Sequence, residues 1–206
     1  MADALNIPRT TIHEHLPKLG LILYDNTARK RSWSSRDKCP PTVARSGLHP
    51  KKVLLSIWWD WKGILYYELL PEGQTINSEK YCTQLEKLKE AIITKRSEVV
   101  NRRGVVFHHD NARPHVSLAV RTKLLKFDWD VLPHPPYSPD LAPLDYYLFL
   151  SLKHFLRNRK FKSVNEVKNG LEEYFKSKPR KFWKNGIMRL PKRWQKMVEE
   201  KGSYII

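Results

Sequence analysis

Two acidic side chains lie where a protein could hold a divalent metal ion. Asp110 follows residues 104–108, an apolar run that predicts a buried strand, and ligand sites of open α/β sheets gather at the carboxyl ends of strands. Asp145 opens a helical pattern directly after residues 133–143, a loop stiffened by five prolines. Carboxylates from two such elements can bridge Mg²⁺ ions that activate water or a 3′-hydroxyl for attack on a phosphodiester. We therefore predict Asp110 and Asp145 as catalytic residues and metal ligands, with Mg²⁺ as the ion and Mn²⁺ as its alternative.

Other interpretations of this region stay open. Asp110 and Asp145 can equally serve as a loop acid and a helix-cap acid. The three histidines of the first segment form a candidate Zn²⁺ cluster, namely His108, His109 and His115. The segment has neither a Cys nor a helical H-x-x-x-H pair, so loop or core positions are favoured for these histidines.

The charge of the chain indicates a polyanionic partner. Its 206 residues include 38 Lys and Arg against 21 Asp and Glu, which gives a formal net charge of +17. Residues 151–206 contain 16 of these cations and only five of the acids. A surface kept basic only for solubility needs a net charge of roughly 2–8, so that alternative is less favoured. We predict a nucleic acid as the partner and expect no small-molecule substrate.

The composition indicates a folded protein of a reducing compartment. Hydrophobic residues make up 41% of the chain, with seven Trp, nine Tyr and seven Phe, enough to form a sizeable core. The two cysteines, Cys39 and Cys82, are too far apart in sequence to suggest a disulfide scaffold or a zinc knuckle. The first twenty residues lack the apolar stretch of a secretion signal, and no run of about 18 apolar residues occurs. We expect an intracellular protein without membrane contact.

Apolar periodicity predicts an α/β domain. The turn sequence Asp60-Trp61-Lys62-Gly63 between two apolar runs predicts a β-hairpin. A strand, helix, strand succession follows, which favours parallel pairing. The predicted strands are residues 21–24, 53–59, 64–69, 104–108 and 130–132.

Apolar residues spaced three and four apart predict the helices. Asn77 or Ser78 could cap the first of them, and Ser163 with Glu166 has the form of a capping box for a later one. The predicted helices are residues 81–92, 114–126, 144–156, one from 164 onward, and one that carries Trp194 and Met197. Together the elements predict a mixed sheet with helices on both faces.

Two blocks of the sequence carry a family resemblance. Residues 109–115, His-Asp-Asn-Ala-Arg-Pro-His, and residues 132–146, with Tyr-Ser-Pro-Asp-Leu-Ala-Pro-Leu-Asp at their centre, resemble the signature blocks of mariner-family DNA transposases. The 34 residues between Asp110 and Asp145 match the interval between the second and third catalytic aspartates of that family. The resemblance extends over essentially everything from residue 21 to the C-terminus.

The resemblance implies a fold, an activity and partners. It implies an RNase H-like fold of the retroviral-integrase type, a mixed sheet flanked by helices, with a Mg²⁺ site made of three aspartates. It further implies cleavage of DNA at terminal inverted repeats, transfer of the cut strand into target DNA, assembly as a homodimer, and residence in the nucleus.

The resemblance also shows where the sequence departs from the family. The first catalytic aspartate of mariner transposases opens an Asp-Glu-Lys-Trp motif, and counting back from the match at residues 22–26 places that position on Lys18. A lysine cannot ligate Mg²⁺ and would repel it. Asp25 has the wrong strand parity to replace the lost ligand, and Asp60 is better explained as a turn former.

The residues before this point resemble another part of the family. Residues 4–20 are similar to the recognition-helix end of a helix-turn-helix in the DNA-binding region. We therefore expect residues 1–20 to be a helix-turn-helix remnant and residues 21–206 to be the RNase H-like catalytic domain, joined across a deletion.

Three functions follow from these observations. The favoured one is a truncated mariner-type transposase that retains Asp110 and Asp145, binds DNA, and has little or no transposition activity. The second is an active endonuclease in which two carboxylates still hold enough Mg²⁺ to nick DNA. The third is a catalytically dead, domesticated DNA-binding module or an inert transposon remnant.

Overall fold

The computed structural model describes residues 11–14, 20–27, 51–98 and 104–202. Its strands are β1 Thr11–Glu14, β2 Gly20–Leu23, β3 Lys52–Asp60, β4 Gly63–Leu70, β5 Val106–His108 and β6 Asp130–Leu132. Its α-helices are α1 Ser78–Lys95, α2 Leu118–Lys126, α3 Leu150–Leu156, α4 Val164–Ser177, α5 Arg180–Met188 and α6 Leu190–Glu199. A 3₁₀ turn, Pro139–Leu141, and a π-helical segment, Leu144–Phe149, precede α3. Among the described residues, no helix has the length and apolar character needed to cross a bilayer.

The predicted hairpin is confirmed as β3 and β4. The Asp60 carboxylate accepts hydrogen bonds from the backbone N–H groups of Lys62 (2.8 Å) and Gly63 (2.9 Å), which closes the turn. Gly63 has φ +137°, a conformation that side-chain-bearing residues rarely adopt. The turn therefore depends on both the aspartate and the glycine that predicted it.

The strands form one six-stranded sheet of mixed direction. The order is β2-β3-β1-β5-β6, with β4 also paired to β3. β3 is antiparallel to β1, β2 and β4, whereas β5 is parallel to β1 and to β6. The predicted parallel pairing after the hairpin is thus confirmed for β5 and β6.

β1 and β2 both pair with the same edge of β3, but their registers on β3 do not follow from one another by simple counting along the chain. Glu14 pairs with Trp58, and Gly20 pairs with Leu55. The six residues from Glu14 to Gly20 therefore correspond to only three residues along β3, from Trp58 to Leu55. The opposite edge of β3 is occupied by β4 over both stretches.

Residues 11–14 differ from the sequence-based expectation. Residues 1–20 were expected to be a helix-turn-helix remnant, but Thr11–Glu14 form a strand that pairs with β3 on one side and β5 on the other. Pairing on both edges supplies hydrogen bonds that override the local similarity to a helix. Residues 1–10 and 15–19 lie outside the described residues, and the division between residues 20 and 21 stays a prediction.

Helices cover both faces of the sheet, as the buried pattern of β3 requires. Alternate β3 residues, such as Leu55 and Trp59, pack with α3, α4 and α5 in one cluster. Trp58, on the other face, packs with α1, α2 and β5 in a second cluster. The predicted α/β architecture is confirmed.

Two helices differ in detail from their sequence patterns. α2 begins at Leu118 rather than near residue 114, because residues 113–116 form a turn and Ser117 is extended with ψ 153°. At α4 the predicted cap is half formed: the Ser163 hydroxyl accepts from the backbone N–H of Glu166 at 3.2 Å. The Glu166 carboxylate accepts instead from the backbone N–H of Lys162 at 2.8 Å.

Candidate active site

Asp110 lies two residues beyond the end of β5, where the chain leaves the sheet. Its side chain is only 4% exposed. One carboxylate oxygen accepts a hydrogen bond from the backbone N–H of Ala112 at 3.2 Å and contacts Nδ1 of His115 closely. The His115 ring in turn stacks on Tyr81 of α1, with the ring centroids 4.1 Å apart. The loop and α1 therefore fix this carboxylate at the carboxyl end of the sheet.

The three histidines considered as a Zn²⁺ cluster have three different polar partners. Nδ1 of His109 lies 3.2 Å from the Tyr81 hydroxyl, and Nε2 of His108 lies 3.1 Å from Nδ1 of His134. His115 contacts Asp110. Within the described ranges no group of three or more His, Cys, Asp or Glu side chains is placed to hold a metal ion. The histidines thus act as positioning groups for loops at the strand ends.

The proline loop returns the chain to the same edge of the sheet. β6 lies beside β5, with Leu132 opposite His108, and His134 follows two residues later. Burial lowers the pKa of His134, while the negative charges of Asp110 and Asp140 act in the opposite direction. The contact between His134 and His108 at 3.1 Å places the start of this loop at the strand end that leads to Asp110.

Asp140 belongs to the structure of this loop. It lies in the 3₁₀ turn Pro139–Leu141 and is 5% exposed. Its backbone carbonyl accepts a hydrogen bond from the guanidinium of Arg193 on α6 at 2.9 Å. This contact joins the backbone of the loop to α6.

Asp145 is the second residue of the π-helical segment Leu144–Phe149. The carbonyl of Ala142 accepts from the backbone N–H groups of both Asp145 (2.9 Å) and Tyr146 (3.0 Å). The Tyr146 hydroxyl donates to the carbonyl of Gly186 at 2.8 Å, which joins the segment to α5. An α-helix was expected over residues 144–156, and π geometry over its first half is not visible in apolar spacing. Such segments often occur at functional sites.

The structure therefore brings the segments that carry Asp110 and Asp145 to one edge of the sheet. β5 and β6 run parallel, so both loops leave at their carboxyl ends. The contact between His108 and His134 joins the two loops directly. That Asp110 and Asp145 act together as metal ligands stays a prediction.

The acids considered as replacements for the first ligand are engaged elsewhere. Asp25 is exposed and accepts from Thr27, with Lys160 at 3.4 Å. Asp60 is 3% exposed and, besides closing the hairpin, accepts from the Arg96 guanidinium at 2.6 and 3.0 Å. Lys18, the position aligned with the first aspartate, lies outside the described residues.

The ion pair between Asp60 and Arg96 was missed by sequence reasoning. The two residues are 36 apart in the chain, and nothing in the hairpin motif indicates a partner at the end of α1. The sequence offers one signal, namely that Asp60 directly follows an apolar run predicted to be a buried strand. A charge at such a position requires a partner.

The mixed sheet with helices on both faces is the fold of an RNase H-like transposase catalytic domain. Residues 23–102 match the family model described as "Transposase (partial DDE domain)". The Mariner Mos1 transposase of Drosophila mauritiana is 43% identical over 185 residues, which is 89% of this chain and 54% of that protein. The human histone-lysine N-methyltransferase SETMAR is 40% identical over 183 residues, which is 89% of this chain and 27% of that protein. The chain thus spans about half, or less, of the length of these relatives.

Solved structures give the same result over nearly the whole chain. The catalytic domain of Mos1 mariner transposase superposes with a TM-score of 0.82 at 37% identity, covering 99% of this chain and 88% of that one. The pre-cleavage Mos1 transpososome gives a TM-score of 0.90 at 38% identity, covering 99% of this chain and 59% of that one. The chain belongs to the mariner transposase family.

Proposed function

We propose that this chain is a DNA-binding transposase catalytic domain whose DNA cleavage and strand-transfer chemistry is impaired. The observation that carries the proposal is the donor set of the candidate active site. Asp110 follows the carboxyl end of β5 and Asp145 follows the loop after β6, whereas the position aligned with the first aspartate of the family is Lys18. Carboxylate oxygens are suitable ligands for a divalent ion, and a lysine is not.

The proposed partner is DNA, bound by a homodimer at terminal inverted repeats as in the parent family. The net charge of +17 supports a polyanionic partner. Among the structural relatives, one is a Mos1 transposase paired-end complex with the left transposon end. The similarity of fold to that complex supports the proposal that this chain also binds transposon-end DNA.

The proposed metal ions are Mg²⁺ or Mn²⁺. Paired-end complexes of Mos1 have been solved with Mn and with Mg. A bound divalent ion would supply Lewis acidity toward a phosphodiester. In this chain one oxygen of Asp110 is already engaged by His115 and Ala112, which leaves the carboxylate fixed in direction. Two ligands are expected to bind the ion weakly.

Metal binding and nicking can be measured on the same set of variants. We expect Mn²⁺ to bind weakly to the unaltered chain by electron paramagnetic resonance, and more weakly still to Asp110→Asn and Asp145→Asn, because a carboxylate ligand is lost. Asp130→Asn is the matched control, since Asp130 is an exposed acid at the opposite end of β6. Nicking of supercoiled plasmid is expected at background for all four proteins.

Two results would contradict this proposal. Equal Mn²⁺ affinity in Asp110→Asn, Asp145→Asn and Asp130→Asn would show that Asp110 and Asp145 are not ligands. Metal-dependent nicking that is lost in Asp110→Asn and kept in Asp130→Asn would establish the active endonuclease instead.

A non-enzymatic DNA-binding module is the second candidate. The lysine at the position aligned with the first aspartate favours it, because a protein that only holds DNA does not need the third ligand. Binding that falls steeply with salt but does not respond to Mg²⁺ or to Asp145→Ala would support this candidate over the first.

We further propose that the chain resides in the nucleus, where its DNA partner is found. The run Arg29-Lys30-Arg31 is a short basic segment of the kind used for nuclear import. Imaging of a fluorescent fusion, with this run replaced by alanines as the comparison, tests the proposal.

A further inference from the structure

Tyr137 presents a fully exposed aromatic ring beside the candidate active site. Its relative exposure is 99%, and among the described residues it is the only Phe, Trp or Tyr whose side chain is exposed. Pro133 and Pro136 of the same loop are also exposed, whereas Asp140 and Leu141 are buried. An aromatic side chain left entirely in water gains nothing for the stability of the fold.

The backbone at Tyr137 is held in a conformation that such a residue avoids. Its φ is +55°, in the left-handed region that favours glycine. Hydrogen bonds on both sides maintain this turn: the Ser138 hydroxyl donates to the carbonyl of Pro136 at 3.1 Å, and the backbone N–H of Leu141 donates to the carbonyl of Ser138 at 3.1 Å. Strain that is held in place by its surroundings is typical of functional positions.

The ring stands close to the carboxyl edge of the sheet. Tyr137 is three residues from His134, which contacts His108 at the end of β5, and three residues from Asp140, whose carbonyl is bonded to Arg193. Three residues span at most about 11 Å, so the Tyr137 backbone lies within that distance of both fixed points. An exposed side chain on this loop is therefore available to a polymer that binds along the carboxyl ends of β5 and β6.

We infer that Tyr137 is a stacking platform for an unpaired base of the DNA that occupies this edge. The inference rests on the proposed function, since it specifies how the bound DNA is held. A phenol ring offers a π-face to any base and carries no charge, so it fits an unstacked base and not a phosphate. The rigid proline turn fixes the ring before DNA arrives, which removes an ordering cost from binding.

The experiment compares two DNA probes of equal length. One is fully paired, and the other ends in an unpaired extension containing 2-aminopurine, whose fluorescence is quenched by stacking on an aromatic ring. The variants are Tyr137→Ala, Tyr137→Phe, and the control Leu150→Ala, which removes a 62% exposed aliphatic side chain from α3. Thermal unfolding of each variant confirms that the fold is retained.

We expect Tyr137→Ala to bind the extended probe about tenfold more weakly and to lose the quenching, because one stacked base is lost. Tyr137→Phe and Leu150→Ala should remain within twofold of the unaltered chain on both probes. The paired probe should bind all variants alike, with an unchanged slope of affinity against salt, because no phosphate contact is removed.

The possible failures are distinguishable. Unchanged affinity and quenching in Tyr137→Ala, with salt-dependent binding intact, overturns the stacking inference and leaves the proposed function standing. Equal weakening on both probes, or a change in the sedimenting mass of Tyr137→Ala, assigns the ring to a general or protein contact and also overturns the inference. Absence of salt-dependent binding by the unaltered chain overturns the proposed function itself.

Discussion

At the scale of single residues, aspartates in similar sequence settings have separate tasks. Asp110 is fixed by His115 and a backbone N–H at a sheet edge, whereas Asp60 is fixed by Arg96 and two backbone N–H groups inside a hairpin. Both are almost wholly buried. Burial alone therefore does not identify a catalytic acid. Asp110 differs from Asp60 in its place in the fold, because it follows the carboxyl end of β5 whereas Asp60 closes a hairpin.

Asp60 has two roles that can be measured separately: it closes the hairpin turn, and it balances the charge of Arg96. Asp60→Ala removes the partner of a nearly buried guanidinium and should lower the free energy of unfolding by about 3–5 kcal/mol. Asp60→Asn keeps an oxygen for the N–H groups of Lys62 and Gly63, so its cost should be smaller, about 1–3 kcal/mol. Urea unfolding monitored by tryptophan fluorescence measures both changes.

Asp25→Ala is the control for this pair of variants. Its carboxylate lies at the surface, with Lys160 at 3.4 Å, and water screens that ion pair. Its unfolding midpoint should remain close to that of the unaltered chain. If Asp60→Ala behaves like Asp25→Ala, Asp60 neither closes the hairpin nor balances Arg96.

At the scale of elements, α5 packs against the sheet through a glycine. A Cβ atom built on Gly186 would lie 2.5 Å from the Trp59 ring and 2.6 Å from the Tyr147 ring. Trp59 is wholly buried, so neither the ring nor the helix has room to move. The Gly186 carbonyl also accepts a hydrogen bond from the Tyr146 hydroxyl. α5 therefore lies directly beside the segment that carries Asp145.

Two glycine substitutions separate crowding from helix propensity. Gly186→Ala should lower the free energy of unfolding by about 1–3 kcal/mol, since overpacking exceeds the helix-propensity gain of alanine. Gly170→Ala in α4 meets only the half-buried Phe161 ring, at 3.1 Å, so it should be neutral or stabilising by up to about 1 kcal/mol. Thermal and chemical unfolding test both, and equal destabilisation of the two variants would contradict the packing explanation.

The elements predicted from sequence are those governed by local chemistry. The hairpin follows from Asp60 and Gly63, and Asn77 caps α1 as predicted, accepting from Lys80 N–H at 2.8 Å. The misses depend on tertiary partners. Residues 11–14 become a strand only because β3 and β5 pair with them, and α5 was not predicted because its apolar residues, such as Trp183, lie in a short segment rich in cations.

The candidate site was predictable only in part for the same reason. The motifs around Asp110 and Asp145 indicated which acids lie at strand and helix ends, and the sheet topology agrees with that placing. The partners that hold these loops are distant in sequence, as with Tyr81 to His109 or Arg193 to Asp140. Such contacts carry no local pattern, so only the fold reveals them.

At the scale of the whole molecule, the excess of positive charge should govern DNA affinity through its dependence on salt. Each phosphate that is neutralised contributes about 0.9 to the slope of log affinity against log salt concentration. Arg157 and Lys162 are exposed in the basic region of residues 151–206. The double variant Arg157→Ala with Lys162→Ala should therefore lower that slope by about 2 on fully paired DNA.

Lys87→Ala is the control, because Lys87 lies on α1, where it pairs with Glu68 at 3.5 Å. Its slope should match that of the unaltered chain in fluorescence anisotropy titrations at several salt concentrations. A double variant whose slope is also unchanged would show that Arg157 and Lys162 do not contact phosphates.

The offset between β1 and β2 determines how a position in the first part of the chain can be matched to the sheet. Against the shared neighbour β3, the chain between these strands is three residues longer than a continuous strand would be. Counting from either strand to an aligned position therefore gives different answers, and the odd difference also reverses the side of the pleat. An acid introduced to complete the site should therefore be positioned by the register of β1 on β5, and not by counting back from β2.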